Sequence, residues 1–210
     1  MPDSHGQGQG HDHDDDHDDD HTHDHDHGPA QGPLADASVR RAGVNDAPAV
    51  GYVQAEVWRA AYEGKVPAEV TSAFTPTAFG NAWRDSLATP PPGAHALFVA
   101  LAGGQVVGFV AVGPSQDPDS DATTGEVTAL GVHPAGRRQG HGSRLLNAGV
   151  DHLTTAGAEQ LSIWILVDDE QTRAFLTGAG FAPDGAYRDR VVSADGEVLR
   201  EVRLSCTLSA

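Results

Sequence analysis

The first 28 residues contain nothing from which a core could be built. Apart from Met1 and Pro2 they hold no aliphatic side chain, and no ring other than imidazole. In their place stand ten aspartates and eight histidines. A stretch this polar cannot bury enough surface to offset the entropy lost on ordering, so it is expected to be disordered. Gly28-Pro29-Ala30-Gln31-Gly32-Pro33 comes next as a Pro/Gly linker. The chain therefore divides into a tail and linker over residues 1–36 and one folded domain over residues 37–210, a length that suits a single core.

The net charge of −17 divides in the same way. The first basic residue is Arg40; residues 1–28 carry −10 and the rest of the chain −7. An acidic balance argues against a nucleic-acid partner, which selects for a basic face. No apolar run approaches the ~20 residues of a membrane span. The polar, acidic N-terminus has neither the basic nor the apolar region of a secretory signal, so a cytoplasmic protein is expected. The single cysteine, Cys206, excludes an intrachain disulfide framework and a cysteine-cluster zinc site. In the tail His11, His13, His17, His21, His23, His25 and His27 offer imidazoles that suit zinc or nickel. Without fixed geometry they would hold ions loosely and non-specifically. The other reading is a solubilising tail whose histidines titrate near neutrality.

Beyond the linker the apolar pattern alternates between the two periods. Ser38–Ala42 reads as a short strand, and Asn45-Asp46 offers a helix N-cap. Val50, Val53, Val57, Ala61 and Tyr62 recur near the 3.6 period until Pro67 interrupts them. A second helix is expected around Thr77–Leu87, stopped by Pro90-Pro91-Pro92-Gly93. His95–Ala102 and Gln105–Val112 flank Gly103-Gly104, a hairpin signal. Glu126–Val132 is a further strand and Ser143–Ala156 a helix. Leu161–Val167 is apolar on both faces, as a central strand should be. Asp168-Asp169 opens a helix ending near Gly178. Two strands, Tyr187–Val192 and Glu197–Leu204, flank Asp195-Gly196. The expected fold is a mixed α/β sheet of order β-α-α-β-β-β-α-β-α-β-β.

The chemistry should reside where Glu126–Val132 meets Ser143–Ala156. Between them lies His133-Pro134-Ala135-Gly136-Arg137-Arg138-Gln139-Gly140-His141-Gly142. Glycines let a ligand approach the backbone. The free N–H groups and positive dipole end of the next helix attract phosphate, and Arg137 and Arg138 add guanidinium forks. In so acidic a chain this pair marks a local anion site. A P-loop would need a lysine here, and the chain's only lysine is Lys65. A dinucleotide fingerprint needs a different glycine spacing.

Arg137-Arg138-Gln139-Gly140-His141-Gly142 fits R/Q-x-x-G-x-G/A and resembles the acyl-CoA motif of the GNAT superfamily of N-acyltransferases. Glu126, Leu130, Val132 and Pro134 match the strand that precedes it in that superfamily. Gly180-Phe181 matches its later Gly-Phe. The resemblance runs over roughly Ser38 to Leu208. It implies acetyl-CoA as donor and direct attack by an amine, with no covalent enzyme intermediate. The pyrophosphate would rest on the N–H groups of Arg138, Gly140, His141, Gly142 and Ser143, with Arg137 nearby. The pantetheine arm would pair with the backbone at Leu130 and Val132. Glu126 stands where such enzymes place a carboxylate base; otherwise it only positions substrate or water. His133 is a weaker candidate, better suited to capping the strand end. Arg173 is either a CoA phosphate contact or a solvated helix residue.

One position departs from the family. Leu176 stands where many members carry the tyrosine that protonates the leaving thiolate, which leaves water or another tyrosine for that step. Trp58, Tyr62, Trp83, Tyr187 and Arg188 are candidates to line the acceptor pocket, although aromatics at helical spacing also serve a core. The acceptor would be a primary amine of a small molecule or a protein, and the protein a monomer or homodimer. Two other readings stay open. One is a catalytically weak acyl-CoA-binding sensor, in keeping with Leu176. The other is a metal-buffering protein acting through its tail.

Overall fold

The computed structural model describes residues 37–193 and 195–208. The tail, its histidines and the expected disorder lie outside the described residues. Seven strands form one sheet: β1 (Ala37–Arg41), β2 (Ala96–Ala102), β3 (Gln105–Pro114), β4 (Thr124–Val132), β5 (Gln160–Leu166), β6 (Ala182–Val191) and β7 (Val198–Thr207). The spatial order is β1-β2-β3-β4-β5-β7-β6. Every neighbouring pair is antiparallel except β4 and β5. Five helices complete the domain: α1 (Ala47–Tyr62), α2 (Ala68–Ser72), α3 (Pro76–Ala88), α4 (His141–Thr155) and α5 (Glu170–Gly178).

The mixed α/β order agrees with the sequence reading, with one addition. The stretch after Pro67 forms the short helix α2, with Pro67 at its N-cap position, where proline leaves no N–H unpaired. Thr75 caps α3, its hydroxyl oxygen accepting from the Ala78 N–H at 3.1 Å. Asp169 caps α5 in the same way, accepting from Thr172 N–H at 3.0 Å. The cap expected at Asn45-Asp46 does not form. Asp46 occupies the N-cap position of α1, but its carboxylate accepts from Arg40 and from the Gly43 N–H. The bidentate guanidinium is the stronger partner. Gly103 and Gly104 take φ +54° and +82°, the two positive values a two-residue hairpin loop needs.

Each sheet face has its own core. On one, α4 and α5 bury Leu145, Leu146, Leu153 and Leu176 against Val110, Val127, Leu161, Ile163 and Leu204. On the other, α1 and α3 set Val50 and Val53 on Leu97, Val99 and Phe109. Trp58 stacks on Phe109 at 6.0 Å, and Trp83 meets the same ring edge-on. Trp83 also donates its indole N–H to Gln54 at 2.6 Å. Both tryptophans thus pack on the core through Phe109 while staying partly exposed.

Candidate active site

The parallel pairing of β4 with β5 is short. It runs from Thr124 opposite Gln160 to Val127 opposite Ile163 and goes no further, although both strands continue. At that point β4 bulges. Ala111 of β3 faces Ala129 while Val112 faces Val127, so Thr128 is the extra residue. Its hydroxyl donates to the Ala111 carbonyl at 3.2 Å. A bulge bends its strand and re-aims the residues beyond it. The upper half of β4, with Leu130 and Val132, is thereby parted from β5, leaving backbone groups on that edge for an extended ligand.

The turn after β4 is built for an anion. His133 caps the turn Pro134–Gly136: its Nδ1 accepts from the Ala135 N–H at 3.2 Å, and its ring stacks on Tyr52. That is the capping role expected of it. Arg138 (φ +64°) and Gly140 (φ +76°) are left-handed, Arg138 being the only non-glycine residue so held among those described. A left-handed residue followed by a helical one turns successive N–H groups to one side, a concavity that receives anions. No side chain caps α4 there, so the N–H groups of His141, Gly142 and Ser143 present the positive end of its dipole. The His141 side chain is buried and Arg144 lies beside it, and both lower its pKa, burial more. It contributes backbone, not charge.

Arg137 turns back on the strand, Nε donating to the Val132 carbonyl at 3.2 Å. Arg144, which the sequence did not single out, shapes the same turn by donating to the Gln139 carbonyl at 2.9 Å. Its signal was its place four residues beyond Gly140, one helical turn into α4. Arg173 donates to the Val167 carbonyl at 2.8 Å and so anchors the β5–α5 junction.

Glu126 lies just below the parting of the strands, opposite Ser162 on β5 and Gly113 on β3. The missing side chain of Gly113 is replaced by the His95 imidazole, which packs on that glycine. Burial pushes the Glu126 carboxyl above its usual range, and the neighbouring Asp117 carboxylate raises it further. Ser115, Gln116 and Arg188 oppose this in part. A half-buried carboxyl with a raised pKa is what a base working near neutrality requires.

A polar surface continues from Glu126 across β5 and β7, and most of it was invisible in the sequence. Trp164 donates its indole N–H to Asp117 at 2.9 Å. Arg203, across from Trp164 on β7, holds Asp117, Asp119 and Asp184 at 3.1, 2.7 and 2.7 Å. Farther along, Glu201 is buried and accepts from both Arg188 and Arg190. Tyr62 ends α1 against Phe74. Its phenol is held protonated, first by burial and then by Glu201, with Arg190 and Arg188 opposing. Lys65, just past α1, reaches Asp168 at 3.0 Å and ties that end to the β5–α5 junction. Tyr187 is exposed and carries Arg200 on its ring, so it lines no enclosed pocket. Leu176 is fully buried. The Cys206 thiol is pushed up by burial, which makes it a poor nucleophile.

Residues 58–181 match the model of the GNAT acetyltransferase family. The chain belongs to that family. It is 26% identical over 168 residues to the uncharacterized N-acetyltransferase YuaI of Bacillus subtilis, covering 80% of this chain and 91% of that protein. A shorter stretch of 63 residues, 30% of this chain and 21% of the relative, is 32% identical to mycothiol acetyltransferase of Beutenbergia cavernae. Among solved structures, PaiA N-acetyltransferase from Thermoplasma acidophilum with coenzyme A superposes with a TM-score of 0.60 at 14% identity, over 82% of this chain and 99% of that one. YncA from Salmonella typhimurium with acetyl-CoA gives 0.62 at 18% identity, over 83% and 95%. At these identities the superpositions establish the fold. The chain thus carries a GNAT acetyltransferase domain, and no helix among its described residues is long and apolar enough to cross a membrane.

Proposed function

We propose that this GNAT domain, residues 37–210, moves an acetyl group from acetyl-CoA to the primary amine of a small molecule or a protein, with Glu126 as the base. The observation that carries the proposal is the position of Glu126. It is a half-buried carboxyl of raised pKa directly below the opening between β4 and β5. The pyrophosphate binds on the turn through the N–H groups of Arg138, Gly140, His141, Gly142 and Ser143, with Arg137 alongside. The pantetheine arm runs along the free edge of β4 at Leu130 and Val132. Glu126 takes a proton from the acceptor's ammonium, the nitrogen lone pair attacks the thioester carbonyl, and the C–S bond breaks to release the CoA thiolate as the nitrogen gives its second proton to water. That thiolate is protonated by Tyr62 or by water, since buried Leu176 has no proton to give.

The test is CoA release from acetyl-CoA by the purified full chain with a panel of amines, each product confirmed by mass. Acetylation of any amine, lost in Glu126→Gln, supports the proposal. Tight acetyl-CoA binding with no turnover of any amine overturns it in favour of an acyl-CoA sensor, the reading that Leu176 favours. Residues 1–36 are proposed as a dispensable appendage that binds zinc or nickel loosely. Removing them should abolish zinc uptake and leave turnover intact.

A further inference from the structure

Arg188 is held in a way that leaves its useful end free. Its Nε donates to Glu201 Oε2 at 2.5 Å. Its guanidinium lies over the Trp164 ring, 4.3 Å from the centroid. Both contacts fix the plane of the fork, yet neither terminal nitrogen has an acceptor among the described residues. Arg190 donates to the same Glu201 oxygen at 3.2 Å. Two guanidiniums therefore share one buried carboxylate, a net charge of +1 on the acceptor side of the sheet. A flat, clamped guanidinium with two parallel N–H groups to spare is a receptor for a carboxylate or similar planar anion. Its preparation in advance lowers the entropic cost of binding.

The opposite end of the same surface has the opposite sign. There Glu126 offers a carboxylate, whereas Asp117, which receives the Trp164 indole N–H, is already paired with Arg203 beside the platform. The spacing between the two ends is set by the register. Glu126 is level with Ser162, and Trp164, beneath Arg188, lies two residues farther along β5. Two residues of strand rise and one interstrand step separate the two rows by about 8 Å. An α-amino acid with one hydrogen bond from its ammonium and one to its carboxylate spans about 8–9 Å, at ~2.8 Å per charge-assisted bond.

We infer that the acceptor is a free α-amino acid, its ammonium on Glu126 and its carboxylate on the open fork of Arg188. The inference rests on the acetyltransferase reading above and narrows it. A protein N-terminus presents the same amine but has an amide where the carboxylate should be. Glu201 is a positioning residue that aims the fork, and Trp164 is its platform.

The experiment compares, with the full chain and acetyl-CoA, the common α-amino acids, their carboxamides, tripeptides with the same first residues, and linear diamines. At least one amino acid should be acetylated with kcat/KM about 10–100-fold above its carboxamide, the order expected for a charge-assisted hydrogen bond to a half-exposed guanidinium. Arg188→Lys keeps the charge and loses the fork, so that ratio should fall at least about tenfold, mainly through the KM of the acid. Carboxamides, tripeptides or diamines acetylated as well as the acids would overturn the inference and leave the acetyltransferase reading standing. An unchanged ratio in Arg188→Lys would also overturn it. Failure of every amine to release CoA would remove the acetyltransferase reading itself.

Discussion

Two glycines face each other where α1 crosses α3, and they should respond to the same substitution with opposite signs. A Cβ on Gly51 would stand 2.6 Å from the Pro76 carbonyl oxygen and 2.7 Å from Gly80 Cα. Ordinary contact is about 3.5 Å or more, so the overlap approaches 1 Å. The obstructing atoms are backbone, and no rotamer change relieves them. The helices must part, at about 1–3 kcal/mol for overpacking. Alanine regains up to about 1 kcal/mol of helix propensity. Gly51→Ala should therefore lose about 1–2 kcal/mol net. A Cβ on Gly80 would meet Ala47 O and Pro48 Cα at 3.4 Å, an ordinary contact. Gly80→Ala should accordingly gain about 0.5–1 kcal/mol. At about 2–4 °C per kcal/mol for a domain of this size, the two variants should melt on either side of the wild type. Urea titration followed by tryptophan fluorescence reads this directly, since Trp58 and Trp83 lie under the crossing. Shifts of the same sign, or a Gly51→Ala protein as stable as wild type, would show that the crossing takes a Cβ without the helices parting. Because α1 also carries Tyr62 toward the acceptor surface, Gly51→Ala should raise the KM of the amine more than that of acetyl-CoA.

Glu126→Gln should lower kcat/KM for the amine by roughly 100-fold or more, the usual worth of a general base. In the wild type the rate should fall as pH drops through the Glu126 pKa, which lies above the ordinary carboxylate value, and the variant should lose that limb. The same shift sets a stability sign. A carboxyl whose folded pKa is raised stabilises fully below its unfolded pKa, and this is lost as pH rises through the folded value. Glu126→Gln should thus equal or exceed the wild type in stability at neutral pH, with the gap closing in acid. Gly140→Ala places a Cβ at φ +76°, which costs about 1–2 kcal/mol, and 3.0 Å from Nη1 of Arg144, whose bond to the Gln139 carbonyl must then shift. Denaturation should show that loss, and calorimetry should show acetyl-CoA affinity several-fold weaker. Tyr62→Phe should lower kcat with little change in the KM of acetyl-CoA if the phenol returns the thiolate proton; an unchanged kcat would assign that step to water.

The fold was legible because its signals are local. Gly103-Gly104 set a hairpin, Asp169 capped a helix, and the apolar run from Leu161 marked an interior strand, each through the nearest few residues. Where a longer-range partner intervened, the local reading failed. Asp46 had the right chemistry for a cap but was taken by Arg40, across the turn from β1. Trp58 and Trp83 had a spacing that suits a core as well as a pocket, and only Phe109, which arrives from β3, shows where they pack. The phosphate turn was legible for the same reason as the hairpin, since Arg138, Gly140 and the start of α4 lie within one segment. Arg144 escaped notice only because it looks like any charged residue on a helix.

The acceptor surface was hidden because it has no sequence locality at all. Asp117 comes from the β3–β4 loop, Trp164 from β5, Arg188 from β6, and Glu201 and Arg203 from β7. They become neighbours only through the β5-β7-β6 strand order, in which β7 is inserted between β5 and β6. That insertion puts Glu201 level with Leu166 and Arg203 level with Trp164. It also puts Arg188 directly across from Glu201. A charge count over the sequence records only −6 for residues 37–210 and averages away the acidic groups around Asp117 and the basic ones around Glu201. Summation cancels the very contrast that selects a substrate. Glu126 and the row of Trp164, on which Arg188 lies, are about 8 Å apart along the sheet, and a zwitterion of that length binds both. A uniformly cationic acceptor, which the net charge alone would favour, must set its far end against Arg188 and Arg190. The order of three strands thus reverses the preference that composition implies.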